Sequence, residues 1–145
     1  MFEWSINITK EDLQIIQASK GIVGIQFDLK RLGSMETADM IHNSSVAQNK
    51  VNVPKLIWSN IFTAVSKLNN AAAWNLLALG TDNDGLVSYL PGYDDASKLA
   101  ALKLDMISEL NKPGYALPEV GLNATEINRL KFGLTNQQIA EIGRA

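Results

Sequence analysis

Apolar and polar residues alternate strictly over Phe2, Trp4, Ile6 and Ile8, with Glu3, Ser5 and Asn7 between them. A period of two predicts a half-buried strand. Thr9 follows as an N-cap residue, and Glu11 and Asp12 occupy the first turn, where the helix dipole favours acids. Lys20 and Gly21 supply a stop signal.

Two readings compete over Gly21 to Leu32. As a continued helix, Ile15, Ala18, Ile22, Ile25, Leu29 and Leu32 form an unbroken apolar seam. Gly21 and Gly24 oppose it, each costing ~1 kcal/mol in a helix relative to Ala, and Phe27 falls off the seam. As a strand, Val23, Ile25, Phe27 and Leu29 share one face. The length of the seam favours the helix, broken near Gly21–Gly24.

Ser34 caps a short helix through METADMIHN. SSVAQNKVNV, Ser44 to Val53, is polar and without helical periodicity, which predicts a surface loop. Pro54 then opens the longest helix in its first turn. Its stripe is Ile57, Ile61, Ala64, Val65, Leu68, Ala72, Leu76 and Leu79, with Trp58, Phe62 and Leu77 off the stripe. A helix apolar on most sides lies at the centre of a core or of a subunit interface. TDNDG predicts a turn, LVSYL a short extended piece, and Asp94 or Asp95 the cap of a helix lined by Leu99, Leu102, Met106 and Leu110. Asn123 with Glu126 and Thr135 with Gln138 have capping-box spacing, so two short C-terminal helices follow.

The expected fold is mainly α. It is a single domain, residues 1–145, of five to six helices with a short N-terminal strand and a minor β element at residues 2–8 and 22–29. The strand pairs with Ile22–Leu29, lies across helices, or adds to a sheet in another subunit.

Composition adds limits. The chain has 145 residues, 46% hydrophobic and 19% charged, which suffices for a core and leaves a surface short of charge. The net charge is −2, and no Lys/Arg cluster extends beyond Lys30-Arg31, so general nucleic-acid binding is not expected. The chain contains no cysteine, which removes disulfides, thiolate metal sites and cysteine nucleophiles. The N-terminus lacks the basic region and apolar run of a signal peptide, so a cytoplasmic location is expected. Ile57 to Leu79 is interrupted by Lys67, Asn69, Asn70 and Asn75, so no membrane span is expected.

Candidate chemistry is sparse. His42 is the single histidine, which rules out a multi-histidine zinc site. Ser44 and Ser45 lie near it, without the Gly-x-Ser-x-Gly elbow of a hydrolase. Asp82-Asn83-Asp84-Gly85 suggests a calcium loop, but Gly80 and Pro91 stand where that loop needs acids. No phosphate-binding glycine loop is present. LTNQQIAEIGRA, Leu134 to Ala145, resembles the first helix of helix-turn-helix domains, without a recognition helix after it, and reads as a capped terminal helix.

The expectation is therefore a non-enzymatic assembly subunit with protein partners, self or other, and no cofactor. Asn-rich, Cys-free composition suits a virion or phage component. Phe2, Trp4, Ile6, Ile8, Trp58 and Phe62 are the candidate interface residues. The alternatives are a small regulator that binds a host macromolecule, and an enzyme without a recognisable motif.

Overall fold

The computed structural model describes residues 8–80 and 88–141. It is mainly helical, with one small parallel sheet. The elements run α1 (Lys10–Ala18), β1 (Val23–Gln26), α2 (Leu29–Leu32), α3 (Met35–His42), α4 (Val46–Leu68), β2 (Leu77–Gly80), α5 (Leu99–Leu110), α6 (Ala124–Leu130) and α7 (Asn136–Ala140). Short 3-10 turns occupy Ala71–Leu76, Ala96–Lys98 and Pro118–Val120. No helix among the described residues is long and apolar enough to cross a membrane.

Local signals in the sequence account for most helix starts. Thr9 Oγ1 accepts from Asp12 N at 3.1 Å, and Asp12 Oδ2 accepts from Thr9 N at 2.9 Å, closing a capping box on α1. Asn123 with Glu126 and Thr135 with Gln138 close the same box on α6 and α7. Asp95 Oδ1 accepts from Ser97 N at 2.7 Å and starts the turn that leads into α5. Of the two aspartates, Asp95 is thus the cap.

The helical reading of residues 22–29 is overturned. Lys20 takes a left-handed conformation (φ 57°), and after Gly21 the chain extends. Val23 and Ile25 are buried and Gly24 and Gln26 exposed, the alternation of a strand. Ile15 and Ile22, both on the supposed seam, are 68% and 64% exposed, so no continuous helical face exists. Phe27, misplaced by the helical reading, is buried.

The described partner of β1 is β2, in parallel register from Val23↔Leu77 to Gln26↔Gly80. A parallel pair needs a crossover, and α2, α3 and α4 supply it. The proposed pairing of Phe2–Ile8 with this strand falls mostly outside the described residues. Ile8, the last of that segment, is half-buried against the core.

Both limits of the long helix differ from expectation. α4 starts at Val46, not Pro54, because Ser45 and Gln48 form a capping box inside the stretch read as a loop. The periodicity was hidden by a polar residue at a core position: Asn49 is 3% exposed and donates to Ile41 O at 3.0 Å. Pro54 lies inside the helix. At the other end Asn69 turns left-handed (φ 51°) and stops the helix at Leu68, so Ala72 to Leu79 belong to a 3-10 turn and β2. Between Val53 and Val65 only Lys55 and Thr63 escape burial, so α4 is the central element. Trp58 Nε1 donates to Met106 O in α5 at 2.9 Å, and Trp74 Nε1 to Leu130 O at the end of α6 at 2.9 Å. Phe62 stands between the two indoles, with centroids 5.8 Å from Trp58 and 5.3 Å from Trp74.

Candidate functional site

The crossover that joins the two strands opens a groove between α3 and α4, closed at one end by the Pro118–Val120 turn. Its volume is about 480 Å³, and Leu32, Ile41, Leu56 and Val120 contribute its apolar lining. That volume falls in the range of about 300–1,000 Å³ usual for ligand pockets. Met40, 48% exposed, stands at its edge.

Ser34, Thr37, Ser59 and Asn60 of the wall each serve the fold. Ser34 caps α3, and its Oγ lies 3.0 Å from Thr37 Oγ1. Asn60 Nδ2 donates to Leu32 O and Leu56 O, both at 2.9 Å, which ties α2 to α4. Ser59 Oγ lies 2.8 Å from Glu119 Oε1 and 2.9 Å from Lys55 O, so its single proton is committed to acceptors of the protein. Ser59 is itself 4% exposed. Lys55 also lines the groove and forms no ion pair among the described residues. The groove therefore offers an apolar surface, a cation on Lys55 and a carboxylate on Glu119 with no ion pair among the described residues, and hydroxyls already turned to protein partners.

The candidates for chemistry lie elsewhere. His42 is exposed in the last turn of α3 and does not line the groove. Ser44 Oγ donates to Met40 O at 2.7 Å, and Ser45 Oγ accepts from Gln48 N at 3.2 Å, so both serines serve helix ends. The Asp82-Asn83-Asp84-Gly85 stretch lies outside the described residues. Among those described, no group of three or more His, Asp or Glu side chains could hold a metal ion.

Of the candidate interface residues, Ile8, Trp58 and Phe62 are described. Phe2, Trp4 and Ile6 lie outside the described residues, and Ile8 is half-buried. Trp58 and Phe62, 1% and 0% exposed, are core residues of the chain itself, because the described part of α4 is surrounded by α5, α6 and the 71–76 turn. Met40, Lys55 and Glu119 were not singled out in the sequence. Ser45-x-x-Gln48 was the signal that could have started the long helix at Val46 rather than Pro54.

Two buried phenols contrast near α5. Tyr93 donates to Asp105 Oδ2 at 2.6 Å, and burial with that carboxylate holds its hydroxyl above the usual phenol range. Tyr115 has no hydrogen-bond partner for its hydroxyl among the described residues; burial, with Glu109 and Glu119 nearby, raises it as well.

No protein-family model, curated protein or solved structure matches the chain.

Proposed function

We propose that the chain is a non-enzymatic assembly subunit that acts through protein–protein contacts. In this reading its apolar segment Phe2 to Ile6 seats in the α3–α4 groove of a neighbouring copy, with Ile8 kept on the chain's own core. The observation that carries the reading is the groove: an apolar lining beside exposed Met40, with Lys55 and Glu119 on its wall and neither in an ion pair among the described residues. The segment is the complementary shape of sequence. Phe2 and Trp4 offer the apolar anchors, and Glu3 is the only charge before Lys10. Apolar burial supplies the attraction, and a Glu3–Lys55 pair fixes the register.

Light scattering over a wide concentration range tests this. The expected molar mass exceeds the 15.8 kDa of one chain and falls when residues 2–7 are deleted, a change that keeps Ile8 on the core. Met40→Glu lowers the mass in the same way. A wild-type chain that stays at 15.8 kDa throughout overturns the reading. So does a deletion that leaves the mass unchanged and sharply lowers the melting temperature, since the segment then serves its own fold.

A further inference from the structure

A second concavity lies away from the groove, where the start of α4 meets α5 and the Pro91–Tyr93 loop. It is a recess of about 280 Å³ lined by Val46, Asn49, Lys50, Tyr93, Leu104 and Asp105, among others. Val46 and Leu104 are 72% and 68% exposed, which makes them among the most exposed large aliphatic side chains of the described residues. Two such side chains on one recess make a patch, whereas single ones scattered over a surface are ordinary.

The charges of the recess are mixed in sign and uncompensated. Lys50 forms no ion pair among the described residues, and neither does Asp105. Asp105 is held in place by the Tyr93 hydroxyl, 2.6 Å from its Oδ2. Asn49, which also lines the recess, has its Oδ1 buried with no donor among the described residues.

We infer that this recess is a two-fold contact between two copies of the chain. The inference rests on the reading of the chain as an assembly subunit and names a surface distinct from the groove. In an isologous interface a patch meets itself, so its own chemistry must be self-complementary. A patch of one sign repels its copy. Here Lys50 of each copy faces Asp105 of the other, while Val46 and Leu104 meet their counterparts at the centre. A nucleic acid or an anionic membrane needs clustered cations, and Lys50 stands beside a carboxylate.

Sedimentation velocity on the full chain and on surface variants tests the contact. Leu104→Glu is expected to halve the number of chains per particle with an unchanged melting temperature, because Leu104 is 68% exposed in the single chain. Lys50→Glu alone and Asp105→Lys alone each weaken the dimer at least tenfold, since each creates two like-charge encounters. Mixed together, the two variants pair with each other, because both contacts are then of opposite sign. Wild-type particles that persist unchanged in Leu104→Glu overturn this surface and leave the assembly reading standing. Failure of the mixed variants to pair overturns the reciprocal Lys50–Asp105 geometry. A wild-type chain that is a monomer throughout overturns the assembly reading itself.

Discussion

Gln17 and Asn70 bond each other twice across 53 positions of sequence: Gln17 Nε2 donates to Asn70 Oδ1 at 3.0 Å, and Asn70 Nδ2 to Gln17 Oε1 at 3.3 Å. The pair joins α1 to the point where α4 has just ended. Asn70 Nδ2 also donates to Leu68 O at 3.1 Å, satisfying a carbonyl of the last helical turn. One side chain thus anchors α1 and finishes the central helix.

A double-mutant cycle on Gln17→Ala and Asn70→Ala should return a coupling of about 1 kcal/mol, the net worth of a partly buried amide pair. Each single variant should melt about 2–4 °C lower per kcal/mol lost in a domain of this size. Strictly additive urea-denaturation energies would show that the two bonds contribute nothing to stability.

The two phenols should respond oppositely to loss of the hydroxyl. Tyr115→Phe removes a buried group that has no partner among the described residues, so stability should stay level or rise by up to ~1 kcal/mol. Tyr93→Phe strips a hydrogen bond from the Asp105 carboxylate and should cost about 1–2 kcal/mol. Both hydroxyls are raised in the folded chain, so folding retains protons that the unfolded chain releases. Stability is therefore full below about pH 10 and lost as pH rises beyond it. Tyr115→Phe should shrink that alkaline loss in a pH series of melting curves. A large destabilisation by Tyr115→Phe would count against the unpartnered hydroxyl.

At acid pH the exposed caps set the direction. Hydrogen bonds from the Thr9 backbone and side chain hold Asp12 below the usual carboxylate range. Lys98 does the same for Asp94, and Ser97 for Asp95. A depressed carboxylate stabilises the fold above its unfolded value, near about pH 4, and that contribution is lost as pH falls through the folded value. Melting temperature should hold level between about pH 6 and pH 4.5 and fall below about pH 4. Asp12→Asn should flatten part of that fall; an identical acid limb in the variant would remove the capping box as its source.

Helix caps were the legible part of this chain. Thr9, Ser34, Asp95, Asn123 and Thr135 each cap where short-range spacing predicts, because a cap depends only on neighbours within three residues. What the sequence concealed was decided at longer range. Residues 23–26 fit a helical seam equally well, and pairing with Leu77–Gly80 settles them as a strand. Asn49 looked like loop chemistry because its hydrogen bond goes to α3, eight residues back. The α3–α4 groove was illegible for the same reason: Lys55 and Glu119 are 64 positions apart and gain meaning only when Ser59 and the 118–120 turn bring them to one wall. Trp58 and Phe62 had the composition of an interface and the burial of a core, and hydropathy alone cannot separate the two.

Asn69 is the residue that cuts the expected helix short, and its effect can be isolated. Its φ of 51° places it in the left-handed region, where Asn is tolerated and a Cβ-bearing residue without a local hydrogen bond is not. Its Oδ1 also accepts from Arg129 Nη1 at 2.7 Å, an exposed contact 60 positions away. Asn69→Gly keeps the backbone conformation and loses only that surface contact, so its stability should lie within about 0.5 kcal/mol of wild type. Asn69→Ala should cost about 1–2 kcal/mol, because alanine pays the left-handed penalty without compensation. The propensity of alanine for the helix interior gives the opposite forecast: if residues 54–79 preferred one continuous helix, Asn69→Ala would raise stability and helicity together. Urea denaturation with far-ultraviolet circular dichroism separates the two. Alanine below glycine places the break at Asn69; alanine above glycine, with gained ellipticity, returns the continuous helix.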